Sequence, residues 1–118
     1  MIKLDYNKKN EKRISITGKS EIFRANVKDI IYIICEEYVS TIYLKNGKTC
    51  SVTHSLKCFE AHLKEEDDFF RVSRNTLVNI EHFVNARITH KERIANINGV
   101  DIKISRRKIA RLKKLLCG

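Results

Sequence analysis

The sequence of 118 residues contains no proline and only four glycines. Flexible linkers are rich in these residues, so no boundary between two domains stands out. The length also suits one domain better than two. The few glycines do not form G-x-G-x-x-G or G-x-x-x-x-G-K-[ST], the patterns that cradle dinucleotides and phosphates. The usual nucleotide-binding folds are therefore excluded.

Signals for export, membrane insertion, metal binding and catalysis are also missing. The longest apolar run, residues 30–34, is too short to cross a bilayer, and the lysine-rich start is not a secretory signal. The four cysteines include no C-x-x-C pair, so we interpret them as reduced thiols, mostly in the core. G-x-S-x-G and H-E-x-x-H are absent, and the four histidines are scattered. The sequence predicts a cytoplasmic protein without metal, cofactor or enzymatic activity.

Positive charge is abundant and unevenly distributed. Lysine and arginine number 24 against 14 acids, a formal net charge of +10 that attracts nucleic acid, anionic membranes or acidic proteins. Residues 58–68 carry five acids and one lysine, whereas residues 101–114 carry seven basic residues and one acid. Macrodipole complementation explains Lys113 and Lys114, near the end of a helical pattern. It does not explain Arg106-Arg107 at the helix start, where a phosphate would bind favourably.

Hydrophobic periodicity near two dominates the chain and predicts strands. Alternating or apolar segments are residues 12–18, 20–27, 29–37, 39–54, 71–80, 82–89, 93–99 and 100–106. Asn46-Gly47 predicts a type I′ hairpin turn. Helical spacing predicts a middle helix in residues 55–68, with Ser55 as N-cap, and a C-terminal helix in residues 107–116. We expect a mostly β (β-rich α+β) domain over residues 12–118. Residues 1–11 are expected to be a flexible segment or a linker remnant.

Four segments of the sequence carry a family resemblance. FFRVSRNTLVNI (69–80) is similar to F-x-R-x-H-R-S-x-L-V-N, the signature of LytTR-type DNA-binding domains of bacterial transcription regulators. DIIYIICEEYVSTIYLKNGK, SLKCFEAHL and INGVDIKISRRKIARLKKLL resemble the family's other blocks, in the same order. The resemblance covers residues 12–116 and implies short antiparallel sheets, a middle helix and a C-terminal helix. Ser73-Arg74-Asn75 stands where the family usually has His-Arg-Ser, so the base preference of this turn can differ.

The resemblance implies sequence-specific binding of duplex DNA by loops that enter adjacent major grooves, on direct repeats, with a second copy of the domain. Carried over by position, the DNA-binding residues are Tyr38, Val39, Ser40, Arg74, Asn75, Arg106, Arg107 and Lys108, and Ser105 is added as a further candidate. Arg74 and Arg106 are the candidates for base edges, and Ser105, Arg107 and Lys108 for phosphates or register. Alternation places Arg71 on the other strand face, so we expect a structural hydrogen bond or ion pair there. Asn79 is expected to cap a turn.

Other partners and functions stay open at this stage. Family members usually carry an N-terminal receiver or membrane domain, which this sequence does not contain. A stand-alone domain and a part of a longer regulator, with a receiver domain or sensor kinase as partner, both fit. An RNA- or general polyanion-binding β module would need exposed aromatic rings, whereas the five phenylalanines occupy core-like positions. A protein-interaction domain for an acidic partner is a further alternative.

Overall fold

The computed structural model describes residues 1–18 and 20–117. Within them lie eleven β-strands and two α-helices. The strands are β1 (Ile2–Tyr6), β2 (Lys12–Thr17), β3 (Ile22–Asn26), β4 (Ile30–Glu36), β5 (Val39–Leu44), β6 (Thr49–Val52), β7 (Phe69–Ser73), β8 (Thr76–Asn79), β9 (Phe83–Ile88), β10 (Arg93–Ile97) and β11 (Val100–Lys103). The helices are α1 (Leu56–Glu60) and α2 (Ile109–Cys117), and 3₁₀ turns cover Val27–Asp29, Glu65–Asp67, Ile80–His82 and Arg106–Lys108. Neither helix in the described ranges is long and apolar enough to cross a membrane.

The strands form three antiparallel sheets, which confirms the predicted fold class. The N-terminal sheet has the order β1-β2-β3, the central sheet β6-β5-β4-β8-β7 and the C-terminal sheet β11-β10-β9. In the central sheet β4 pairs with both β5 and β8. The β4–β5 and β7–β8 hairpins, which carry two of the predicted contact segments, therefore lie side by side.

Two hydrophobic cores cover opposite faces of the central sheet. The first core joins this sheet to the N-terminal sheet and α1, and the second joins it to the C-terminal sheet and α2. In β4, Ile30 and Ile33 belong to the first core, whereas Ile31 and Tyr32 belong to the second. A bulge between Ile30 and Tyr32 interrupts the strict alternation. The unbroken apolar run of β4 thus reflects a strand buried on both faces.

The hairpin of β5 and β6 turns at Asn46-Gly47 as predicted, but the turn is not type I′. A type I′ turn needs positive φ at both central residues, and of these two only Gly47 has it, at 87°. The Gly47 N–H donates to the Leu44 carbonyl (3.0 Å), and the Leu44 N–H donates to the Lys48 carbonyl (2.9 Å). These bonds close a three-residue loop with glycine in the left-handed region, another common hairpin geometry.

The structure corrects the expectation that residues 1–11 are a flexible segment. Ile2–Tyr6 forms β1, which pairs with β2 and sets Leu4 opposite Ile14. The Leu4 side chain packs against the first core. In the turn that follows, the side-chain carbonyl of Asn7 accepts two backbone N–H groups (both 2.9 Å). The prediction failed because the many lysines of this segment outweighed the short apolar pattern of the strand, which has one face toward the core.

The middle helix is shorter than the predicted residues 55–68. It ends at Glu60, and Ser55 stands at the N-cap without a capping hydrogen bond from its side chain. Farther on, the Asp67 carboxylate accepts a backbone N–H of its own segment (3.2 Å), and Asp68 has a φ of 67°. Such local bonds of aspartate compete with helical ones, so the acidic segment forms a 3₁₀ turn.

The cysteines are free thiols, but they are not mostly core residues as predicted. Cys35 and Cys50 are half-buried, whereas Cys58 and Cys117 are exposed. Burial raises the pKa of the Cys50 thiol. Cys117 is the last residue of α2.

Candidate nucleic-acid interface

The connection between β4 and β5, residues 36–39, is a strained turn (the Tyr38 turn). Glu36 pairs with Val39, so Glu37 and Tyr38 alone form the loop. Both have positive φ, 48° and 70°, as a type I′ turn requires. Such a conformation costs roughly 1–3 kcal/mol for a residue other than glycine. The Tyr38 side chain is 90% exposed. This two-residue turn therefore presents an exposed aromatic ring at the end of the β4–β5 hairpin.

The next two predicted contact residues differ from each other. Val39 lies at the surface. Ser40 is fully buried, and its hydroxyl donates to the backbone carbonyl of His54. Successive side chains of β5 point to opposite faces, so Ser40 faces inward. The prediction that Ser40 contacts DNA is therefore wrong: its hydroxyl is already bonded within the fold.

A second turn, residues 73–76, joins β7 to β8 (the Arg74 turn). Ser73 pairs with Thr76, which leaves Arg74 and Asn75 as the loop. The strands on both sides are anchored in the two cores. The anchoring side chains are Phe69 and Leu77 in the first core, and Phe70 and Val78 in the second. The apolar residues of this segment therefore anchor its two strands in the cores, and the polar residues lie on the exposed turn between them.

Arg71 stabilises the Arg74 turn by hydrogen bonds to its backbone. Its Nε donates to the Ser73 carbonyl (3.3 Å), one terminal nitrogen donates to the Arg74 carbonyl, and the other donates to Glu60 Oε1 (2.5 Å). The planar guanidinium fork can make these bonds at once. This confirms the structural role predicted for Arg71. The Arg74 side chain is exposed and takes part in none of the hydrogen bonds found within residues 1–18 and 20–117.

The two asparagines of the signature have different surroundings. The Asn75 carbonyl oxygen accepts the hydroxyls of Ser73 (2.9 Å) and Thr76 (3.2 Å), which leaves its NH₂ group to face outward as a donor. Bidentate pairing with adenine would need both the oxygen and the nitrogen. Asn79 is 1% exposed. It donates to the Ile30 carbonyl (2.9 Å) and accepts a backbone N–H of the following 3₁₀ turn (3.0 Å), which confirms its capping role.

The third segment, residues 104–108, joins β11 to α2 (the Arg106 turn). Ile104 is buried in the second core, and the Ser105 N–H donates to the Val72 carbonyl (2.8 Å). Arg106 and Arg107 follow at the surface. The Ser105 side chain makes no capping bond to the helical segment. A free hydroxyl and two arginines thus stand where the helix dipole is positive.

Lys108, also predicted to contact phosphate, has a partner within the fold. It is half-buried, and its Nζ lies 5.8 Å from the centroid of the Phe70 ring. This is within the range of a cation–π interaction. Lys108 therefore stabilises the packing of the Arg106 turn on β7 and is less free than Arg106 and Arg107.

Backbone hydrogen bonds bring the three turns together. The Cys35 N–H, at the end of β4 beside the Tyr38 turn, donates to the Asn75 carbonyl (2.9 Å). The bond between Ser105 and Val72 joins the Arg106 turn to β7, next to the Arg74 turn. Segments more than 30 residues apart in the sequence are thus neighbours at one edge of the molecule.

Some acidic side chains near these turns are paired elsewhere, whereas Glu36 and Glu37 of the Tyr38 turn are exposed and form no ion pair among the described residues. Three acids of residues 58–68 form ion pairs with cations outside the three turns: Glu60 with Arg71, Glu65 with Arg111, and Asp67 with Lys12. The hydrogen bond from Arg111 lowers the pKa of Glu65. Across the described part of the chain, Arg74, Arg106 and Arg107 form no ion pair. Their positive charge is therefore available to an outside anion.

Three further cations lie at the same edge and were not selected from the sequence. Lys91, Arg93 and Lys103 line a groove of about 290 Å³ together with Ser73 and Ser105. Lys91 lies in the loop between β9 and β10, Arg93 begins β10 and Lys103 ends β11. Only the tertiary fold brings these three positions together, although the polar sequence of residues 89–92 had indicated an exposed loop.

Comparison with known proteins identifies the domain type. The family model of the LytTr DNA-binding domain matches residues 20–117. A solved structure described as the LytTr DNA-binding domain of a methyl-accepting/DNA response regulator from Bacillus cereus has the same fold. Its TM-score is 0.73 at 21% sequence identity, over 88% of this chain and 95% of the other. A search of curated proteins found no match.

Proposed function

The chain belongs to the LytTr DNA-binding domain family, and we propose that it binds duplex DNA sequence-specifically as the output domain of a bacterial transcription regulator. Binding, not catalysis, is the proposed activity. One observation carries the proposal: two hairpin turns and the connection before α2 meet at one edge, and Arg74, Arg106 and Arg107 are left out of every ion pair among the described residues. DNA is a dense polyanion that such an edge attracts.

The turns differ in what they offer to DNA. Arg74 and Arg106 are exposed guanidiniums on firmly held backbone, and arginine pairs bidentately with guanine in the major groove. Asn75 presents its NH₂ donors beside Arg74. Arg107 and the Ser105 hydroxyl suit phosphate oxygens. Tyr38 and Val39 offer apolar surface, of the kind that contacts the thymine methyl group.

We propose that the domain contacts adjacent major grooves of the duplex. We also propose that the complete binding site is a direct repeat, with one domain bound to each repeat. A single domain presents one edge, and the turns along it would contact neighbouring grooves of one duplex face. A second copy on a second repeat would multiply the affinity without a new type of contact. The solved structure named above is the domain of a protein described as a response regulator, and we propose an upstream receiver domain or sensor kinase as a partner here by analogy.

Selection of binding sites from random duplexes tests the proposal, followed by titration of a fluorescent selected duplex and its scrambled version. We expect Arg74→Ala and Arg106→Ala each to cost about 1–3 kcal/mol on the selected duplex and to reduce discrimination. Arg24→Ala is the matched control, because Arg24 lines a hollow beside the Asn46-Gly47 turn, at the other end of the central sheet.

Equal affinity of the unaltered domain for both duplexes would refute sequence-specific binding. Competition with single-stranded RNA separates this function from an RNA-binding module. Phe59, Phe69 and Phe70 are buried, which disfavours a platform for stacked bases. We expect the selected duplex to bind more tightly than RNA of the same length.

A further inference from the structure

The groove between the Arg74 turn and the Arg106 turn has the features of a phosphate site. It has a volume of about 290 Å³. The two serines at its margin, Ser73 and Ser105, directly precede Arg74 and Arg106 in the sequence. A DNA strand contacted by both arginines would therefore pass over the groove.

Backbone hydrogen bonds fix the walls of this groove. The Ser105 N–H donates to the Val72 carbonyl, and the Ile104 N–H donates to the Arg93 carbonyl, both at 2.8 Å. The ends of β7 and β11 and the start of β10 are thereby held together. Side chains on strand ends of this kind are presented with little backbone freedom.

The groove is lined by three cations, one of which carries an unsatisfied buried donor. Lys91 and Lys103 are exposed, and Arg93 is half-buried. The Arg93 Nε is inaccessible to solvent and has no hydrogen-bond partner. A buried N–H without an acceptor is unfavourable, and a charged one more so. Glu92 also lines the groove, but Arg87 lies 3.5 Å from its carboxylate.

We propose that this groove binds one phosphate of the DNA backbone, with Lys91, Arg93 and Lys103 as the cations and Ser105 as the hydroxyl donor, since the Ser73 hydroxyl already donates to Asn75. This inference rests on the proposed function, since it places a backbone contact between two base-contacting turns. The phosphate would fix the register in which Arg74 and Arg106 meet the bases. Contacts of this kind position a protein on DNA without carrying sequence information.

The test measures affinity and its salt dependence for Lys91→Gln, Lys103→Gln and the double variant on the selected duplex. Each lost phosphate contact should lower the slope of log K against log salt by about 0.9, which is about fivefold in affinity at 0.15 M salt. Because the groove holds one phosphate, the double variant should lose at most about fivefold on selected and scrambled duplexes alike, and each single variant should lose less. Lys48→Gln is the matched control, since Lys48 lies in the hairpin at the other end of the central sheet and should leave the slope unchanged.

A neutral methylphosphonate at each backbone position in turn identifies the phosphate. We expect one position whose replacement weakens the unaltered domain but not the double variant. Titration of the free domain with inorganic phosphate tests whether the groove binds a free anion instead of a DNA phosphate. Saturation of the Ser73 and Ser105 amide resonances at submillimolar phosphate would assign the groove to a free anion and overturn the DNA assignment.

The outcomes separate this inference from the proposed function. An unchanged affinity and slope in the double variant, with Arg74→Ala and Arg106→Ala still impaired, would refute the groove contact alone. Absence of specific binding by the unaltered domain would refute the proposed function and this inference with it. Both lysines are exposed, so the variants should unfold at the same urea concentration as the unaltered domain.

Discussion

Replacing Arg71 by lysine separates the charge of this residue from its geometry. The guanidinium holds the Ser73 and Arg74 carbonyls and Glu60 together. Lysine keeps the positive charge but is a single point donor on a flexible stem, so it cannot reproduce the fork. We expect Arg71→Lys to loosen the Arg74 turn while the ion pair with Glu60 largely persists.

The magnitude follows from the acceptors that are lost. Lysine directed at Glu60 leaves two backbone carbonyls without their donor, and each such bond contributes about 1 kcal/mol net. Arg74 and Asn75 are exposed, so water replaces part of this loss. The free energy of unfolding should therefore fall by about 1–2 kcal/mol. A displaced Arg74 loses part of a base contact, so specific affinity should fall about tenfold, equivalent to about 1.4 kcal/mol.

Urea denaturation and fluorescence anisotropy together test this reasoning. Affinity for the scrambled duplex should not change, because Arg71→Lys preserves the net charge that governs non-specific binding. Arg24→Lys, the same exchange at an exposed residue remote from the turns, should change neither quantity. If Arg71→Lys binds the selected duplex as tightly as the unaltered domain, Arg71 does not position the turn. An equal loss on both duplexes would indicate a direct phosphate contact instead.

Three further variants test individual parts of the fold. Asn79→Ala removes a buried amide with two backbone partners, and should lower the free energy of unfolding by about 2–4 kcal/mol in urea titrations, because the Ile30 carbonyl stays buried without its donor. Glu65→Gln should cost about 0.2–1 kcal/mol at pH 7, since Arg111 pairs with the carboxylate at the surface. The lowered pKa of Glu65 means that this stabilisation is present above its unfolded-state pKa and is lost as the pH falls through the folded-state pKa. Urea titrations should therefore show the Glu65→Gln difference vanish in acid, and persistence there would contradict the ion pair. Tyr38→Gly should raise the melting temperature, because glycine takes the 70° φ without strain, yet weaken binding of the selected duplex; a lower melting temperature would show that Tyr38 stabilises its turn.

The fold class was predictable because the strand pattern is strong, but turn types depended on tertiary pairing. Asn46-Gly47 has the residues of a type I′ turn and forms a different loop. The residues Glu37 and Tyr38 have no preference for positive φ, yet both adopt it. The reason lies in the strands. Ile33 pairs with Ile42 in the first core, and this register leaves only two residues for the connection. Core packing thus imposes the turn.

The exposed turn positions of Arg74 and Arg106 were predictable, because charge and turn residues coincide there. Ser40 was assigned wrongly because a shift of one residue along a strand moves a side chain to the opposite face. The groove at Arg93 had no local signal. Its lining comes from three separate stretches, Ser73, residues 91–94 and residues 103–105, which only the packing of the C-terminal sheet on β7 brings together.

The position of the acids decides where the net charge of +10 acts. Residues 58–68 could have neutralised the interface, since this segment directly precedes the strand that carries the Arg74 turn. Instead Glu60 binds Arg71, which stands behind the turn, and Glu65 binds Arg111 on the C-terminal helix. Glu60 therefore has two effects at once. It orients the guanidinium that holds the turn, and it leaves the charge of Arg74 uncompensated. The ion pair between Glu60 and Arg71 thus both orders the Arg74 turn and leaves the charge of Arg74 uncompensated. We therefore expect Glu60→Gln to change the geometry of the turn more than the salt dependence of DNA binding.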